Sequence, residues 1–73
     1  MKYNFRVQDI RDLRVANSQM QGKDSNSVMC VYIYNTPNDG VKKYLEKYAA
    51  EIASNNGHSL TLLTEDPGDI AIG

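Results

Sequence analysis

The chain has no tryptophan, one phenylalanine, one cysteine and one histidine among its 73 residues, and each scarcity removes a class of protein. A single thiol, Cys30, forms no internal disulfide, which argues against a cross-linked secreted scaffold. One imidazole, His58, and one remote thiol fall short of a four-ligand zinc site, so neither a metal centre nor a cofactor is expected. No apolar run approaches the roughly 18 residues needed to span a bilayer. Met1 to Gln8 lacks the apolar segment of a signal peptide. The expectation is a soluble cytoplasmic protein with no membrane partner.

An excess of either charge is also missing. Eight basic against nine acidic side chains give a formal net charge of -1, far from the balance of a dedicated nucleic-acid binder. Apolar residues at 41% and charged residues at 23% lie near globular averages and predict one folded domain over 1–73. A domain this short buries only about 60% of its unfolded surface, so a partner or a second copy, in a homodimer, is expected to add burial.

What is present is mostly periodic. From Lys2 to Gln8, Tyr3, Phe5 and Val7 alternate with Lys2, Asn4, Arg6 and Gln8, the pattern of a strand with one buried face. Asp9 to Met20 reads two ways: Ile10, Leu13 and Met20 suit a short helix, Leu13, Val15 and Asn17 a bent strand. The strand is the reading adopted. Gln21 to Ser27 holds turn formers without an apolar anchor and predicts a loop. The run Val28 to Tyr34 is β-branched and aromatic, a central strand with Met29, Val31 and Ile33 on one face and Tyr32 and Tyr34 on the other.

A helix is written most plainly by Val41, Tyr44, Leu45, Tyr48, Ala49, Ile52 and Ala53, an apolar stripe at helical spacing. Lys42 and Glu46 stand one turn apart on its polar side, spaced for an ion pair. Either Thr36 caps it with Pro37 at the first position, or Asn38, Asp39 and Gly40 form a turn first. Asn56 and Gly57 end it. Leu60 to Leu62 then alternate as a strand, Asp66 to Asp69 form a tight turn, and Asp69 to Ile72 return as a last strand. The order strand, strand, strand, helix, strand, strand predicts an α+β fold. Its sheet is mostly antiparallel and four- to five-stranded, with one amphipathic helix packed on one face.

The chemistry-bearing residues favour binding over catalysis. Cys30 sits mid-strand in an apolar run, where a thiolate is disfavoured, so it reads as a buried structural cysteine. His58, just past a helix end, reads as a cation favoured by the dipole. Gly22 and Lys23 echo a phosphate loop, yet Asn17 and Asp24 occupy positions that glycine and serine or threonine must fill. Without a nucleophile, base and oxyanion arrangement, no enzyme is expected.

One helix covers one sheet face. Met29, Val31, Ile33, Leu60, Leu62, Ile70 and Ile72 match its stripe, so Tyr32, Tyr34 and Leu63 are left on the other side. Tyrosine gives large, rigid contact area at low entropic cost, which makes Tyr32 and Tyr34 candidates for a protein interface. Alternatively, the bent N-terminal segment folds over them. A second function class uses the cations: Arg6, Arg11 and Arg14, with Lys42, Lys43 and Lys47 on the helix, could hold phosphates while the tyrosines stack on bases.

In outline the chain has an early strand at Tyr3 to Val7, a single helix at Val41 to Asn55 closed by Gly57, and a hairpin at Leu60 to Ile72 turning at Asp66 to Asp69. That outline resembles the small anti-CRISPR proteins with which phages and mobile elements block bacterial defences. The resemblance implies a non-enzymatic inhibitor that occludes a surface of a bacterial host protein or ribonucleoprotein complex. Acidic side chains sometimes stand in for phosphates in such proteins, a role for which Glu65, Asp66 and Asp69 are the candidates here.

Overall fold

The alternation at the start of the chain does form a strand, β1 (Lys2–Val7), which buries Phe5 and Val7 completely. In a computed structural model that describes residues 1–68, it is followed by α1 (Ile10–Met20), β2 (Val28–Ile33), α2 (Asp39–Asn55) and β3 (Ser59–Leu62). The strands form one sheet in the order β1-β2-β3, and both pairings are parallel. The register sets Phe5 against Val31 and Val31 against Leu62.

A parallel neighbour requires a crossover of a dozen or more residues, usually helical, because the chain must return to the end it started from. Both connections meet that requirement, one through α1 and one through α2. Such crossovers are almost always right-handed, and with the order β1-β2-β3 both step the same way across the sheet. Both helices therefore fall on one face, where α1 packs on β1 and α2, and α2 packs on β2 and β3.

This overturns the mostly antiparallel four- to five-stranded sheet with one helix. Among the described residues there are three parallel strands and two helices. The single-helix outline that carried the anti-CRISPR likeness becomes a two-helix one. The last expected strand, Asp69 to Ile72, lies outside the described residues, and so does the pairing expected of Ile70 and Ile72.

The second correction explains the first: Asp9 to Met20 is helix, not bent strand. Asp9 caps it, its side chain accepting from the Arg11 amide at 2.9 Å, while Asp12 reaches back to the Asp9 amide at 3.3 Å. That reciprocal capping box satisfies donors a helix start leaves unpaired. Leu13, Ala16 and Met20 form its buried stripe, and Val15, read as a strand residue, is exposed.

The helix α2 ends at Asn55 as expected but begins at Asp39, two residues before Val41, so Asp39 and Gly40 are its first turn and not a turn preceding it. Its N-cap is Asn38, whose side chain accepts from the Val41 amide at 2.9 Å, so Thr36 and Pro37 lie outside it. Its end is a Schellman motif, with the His58 amide donating to the Ala53 carbonyl at 2.8 Å and the Gly57 amide to Ser54 at 3.0 Å. Gly57 takes the left-handed conformation this needs, φ +75°. The core lies between sheet and helices, with Phe5, Met29 and Val31 facing Leu13, Met20, Leu45, Ala49 and Ile52. Tyr44, counted in the stripe from its spacing, is 59% exposed and leaves the core to its neighbours.

Candidate functional site

Alternation along each strand sends every second side chain to the face without helices. On β1 these are Lys2, Asn4 and Arg6, on β2 Val28, Cys30 and Tyr32, and on β3 Ser59 and Thr61, with paired positions sharing a face. Arg6 stands directly beside Tyr32 in the register. Tyr34 follows past the strand end, held there by its amide donating to the Val7 carbonyl at 3.0 Å. The rings of Tyr32 and Tyr34 stack with centroids 5.8 Å apart and planes within 4° of parallel. Asn35 then turns the chain at φ +54°, a conformation asparagine tolerates better than most residues.

A second segment reaches this face. Arg6 donates through Nε to Asp66 Oδ1 at 2.9 Å, and its Nη2 lies 2.9 Å from the same oxygen. The Gly68 amide donates to that oxygen at 3.0 Å. Asp66 follows β3, at the opposite sheet edge from β1, so the chain from Leu63 to Asp66 crosses over β2. Arg6 points away from the helices, which puts the crossing on the helix-free side. The Gly68 amide and the Arg6 guanidinium hold the Asp66 carboxyl below its ordinary range. The N-terminal segment that could have covered the tyrosines packs as α1 on the other face instead.

The expected residues fall into two groups. Tyr32, Tyr34 and Asp66 are brought together with Arg6; Glu65 is exposed next to Asp66 in the chain, and Asp69 lies outside the described residues. The cations of the nucleic-acid reading are dispersed. Arg6 is tied to Asp66, and Arg11 on α1 is tied to Asp9 at 3.0 Å. Arg14 projects from α1, and Lys42, Lys43 and Lys47 from α2, on the helix side of the sheet. Of these four, Lys42 lines one cavity together with Tyr32.

Cys30 is buried at 2% exposure on β2, and loss of solvation raises its thiol pKa. His58 is buried just past the end of α2, 7% exposed, with Nε2 3.2 Å from the Lys23 carbonyl and Nδ1 without a partner among the described residues. It precedes Thr61, the register partner of Cys30, by three residues, about 10 Å along a strand. Thiol and imidazole therefore do not form a catalytic pair. Among the described residues no three metal-ligating side chains converge, and no helix is long and apolar enough to cross a membrane.

Lys42 and Glu46 do not close into the ion pair their spacing allows; among the described residues the ion pairs are Arg6–Asp66 and Arg11–Asp9. Both line a cavity of about 350 Å³ with Val31, Ile33, Leu62 and Thr64. Sequence reasoning missed this cavity and the Arg6–Asp66 bond, because both depend on where β3 leaves the sheet. Compared with protein families, curated proteins and solved structures, the chain matches none.

Proposed function

We propose that the chain is a non-enzymatic protein-binding module whose working surface is the helix-free sheet face around Tyr32, Tyr34 and the Arg6–Asp66 bond. The carrying observation is the stacked tyrosine pair on the one sheet face that no helix covers. Two parallel, stacked rings set by a strand and its first turn present apolar area with little rotamer freedom left to lose on binding, while their hydroxyls remain able to hydrogen-bond. Arg6 and Asp66 give the same patch polar groups whose positions are fixed before a partner arrives. Arginine and tyrosine are the residue types that dominate interface energies.

In its narrower form the proposal is of an inhibitor, phage-encoded, that occludes a surface of a bacterial defence or regulatory complex. Supporting it are the small size and the acidic Asp66, joined to Arg6 beside Tyr32, with Glu65 exposed next to it in the chain, while the net charge of -1 argues against a full nucleic-acid mimic. The nucleic-acid reading is the weaker one, since its cations lie on separate elements and two of them are already paired.

Affinity capture from bacterial lysate with three baits tests the proposal: the wild type, a Tyr32→Ser/Tyr34→Ser variant, and a Lys43→Ser/Lys47→Ser variant on α2. A defined protein retained by the wild type and the α2 variant, and lost from the tyrosine variant that circular dichroism shows to be folded, is the expected result. Capture insensitive to the tyrosines overturns it. So does binding of nucleic acid that weakens steeply with salt, the mark of phosphate neutralisation. Sedimentation of the wild type alone separates a heterologous partner from a second copy.

A further inference from the structure

The cavity at the end of β3 has a chemistry that the protein-binding reading does not use. The β2–β3 ladder stops at Val31↔Leu62, although β2 continues to Ile33. Its last backbone bond among the described residues is the Leu63 amide donating to the Val31 carbonyl at 2.8 Å. Backbone groups of successive strand residues point to opposite sides. The Val28 and Tyr34 amides bond β1, through Met1 and Val7, so the odd-numbered residues of β2 face β3. The Ile33 amide and carbonyl thus point to where β3 has already turned away. In place of a strand they face the cavity of about 350 Å³.

Its lining is of mixed character. Ile33, Leu62 and Leu63 supply aliphatic wall and Tyr32 an aromatic neighbour, with Val31 fully buried behind them; Lys42 and Glu46, one turn apart on α2, supply one cation and one anion; Thr64 supplies a hydroxyl. A lysine and a glutamate on one wall, unjoined among the described residues, beside an amide that likewise has no backbone partner among them, suit a ligand with opposite charges of its own. The volume lies at the small end of the roughly 300–1,000 Å³ of ligand pockets.

The geometry points to a binding site for a free aliphatic α-amino acid, its carboxylate on Lys42 and the Ile33 amide, its ammonium on Glu46, and its side chain against Ile33 and Leu62. Each ligand charge meets its opposite, and the aliphatic part replaces water on apolar wall. The site lies at the carboxyl ends of parallel strands, where α/β sheets usually bind ligands. Here the crevice comes from the early departure of β3, since both helices share a face and there is no switch point.

Titration of the full chain with L-leucine, followed by amide NMR, tests the assignment against 4-methylpentanoate, which lacks the ammonium, and 3-methylbutylamine, which lacks the carboxylate. Saturable shifts at Ile33 and Thr64 are expected with leucine. Affinity should fall at least about tenfold for either analogue, and for Lys42→Met or Glu46→Gln, as loss of one charge-assisted bond implies. Both variants alter partly or fully exposed side chains, and circular dichroism verifies their fold. Absence of saturable shifts, or equal affinity for an analogue or in both variants, overturns the site. Tyr32 borders both the cavity and the tyrosine face, and the variants separate the two readings, since Lys42→Met and Glu46→Gln leave the tyrosines and the Arg6–Asp66 bond in place.

Discussion

Arg6 and Asp66 are 60 residues apart in sequence, yet the Arg6 Nε donates to Asp66 Oδ1 at 2.9 Å. The bond joins the first strand to the segment that leaves the last, and it holds that segment across β2 beside Tyr32. The segment therefore forms part of the face on which the proposed function depends.

Its pH dependence follows from the carboxyl. Asp66 titrates below its ordinary 3.8 because the Gly68 amide and Arg6 favour the charged form. A depressed carboxyl stabilises the fold fully above its unfolded value, and the contribution fades as pH falls through the lower folded value. Urea denaturation of wild type and Asp66→Asn should show the wild type more stable near neutrality and the two converging in acid. A difference that persists at the lowest pH would show that the ion pair is not its source.

The cap of α1 supplies a second test. The Asp9 carboxyl is lowered chiefly by its side-chain and backbone bonds to Arg11, so its support for α1 is also present at neutral pH and lost in acid. Asp9→Ala should reduce stability and helical circular dichroism at pH 7, whereas Asp9→Ser, which can still cap, should restore most of the loss. An alanine variant indistinguishable from wild type would refute the capping box.

Core and face should respond differently to truncation. Phe5 is completely buried on the helix-facing side of β1, and Phe5→Ala should cost about 3–5 kcal/mol in denaturant unfolding. Tyr34 is 36% exposed, and Tyr34→Ser should shift stability by no more than roughly 1 kcal/mol. Comparable losses would place Tyr34 in the core.

Cys30 predicts a chemical outcome. Its thiol is buried and its pKa raised by desolvation, and the thiolate is the reactive form. An aromatic disulfide reagent should label it slowly in the native protein and rapidly in denaturant at the same pH. Rapid native labelling would show that this part of the face is open to solvent.

The sequence revealed some of this and hid the rest for physical reasons. The two faces of β1 and β2 were legible, because side-chain period fixes them whatever the strand direction, and α2 was legible from its unbroken stripe and its Asn56–Gly57 end. Strand direction was not. It depends on whether a connection contains a helix, and the helix over Asp9 to Met20 has the small Ala16 at a buried position and the large Val15 at an exposed one. The pair Asp9 and Asp12, three residues apart, was the available signal for a capped start. Tyr32 and Tyr34 were found as a pair, whereas Arg6 beside them required the parallel register, and Asp66 required the crossing of Leu63 to Asp66.

Two exposed tyrosines on opposite layers offer the most direct test of which face binds. Replacing Tyr34 on the helix-free face, or the 59%-exposed Tyr44 on α2, with a photo-crosslinking phenylalanine and irradiating in bacterial lysate reads out the contact itself. The account predicts a discrete protein adduct from position 34 and none from position 44. An adduct from 44 alone would move the interface to the helices and contradict it.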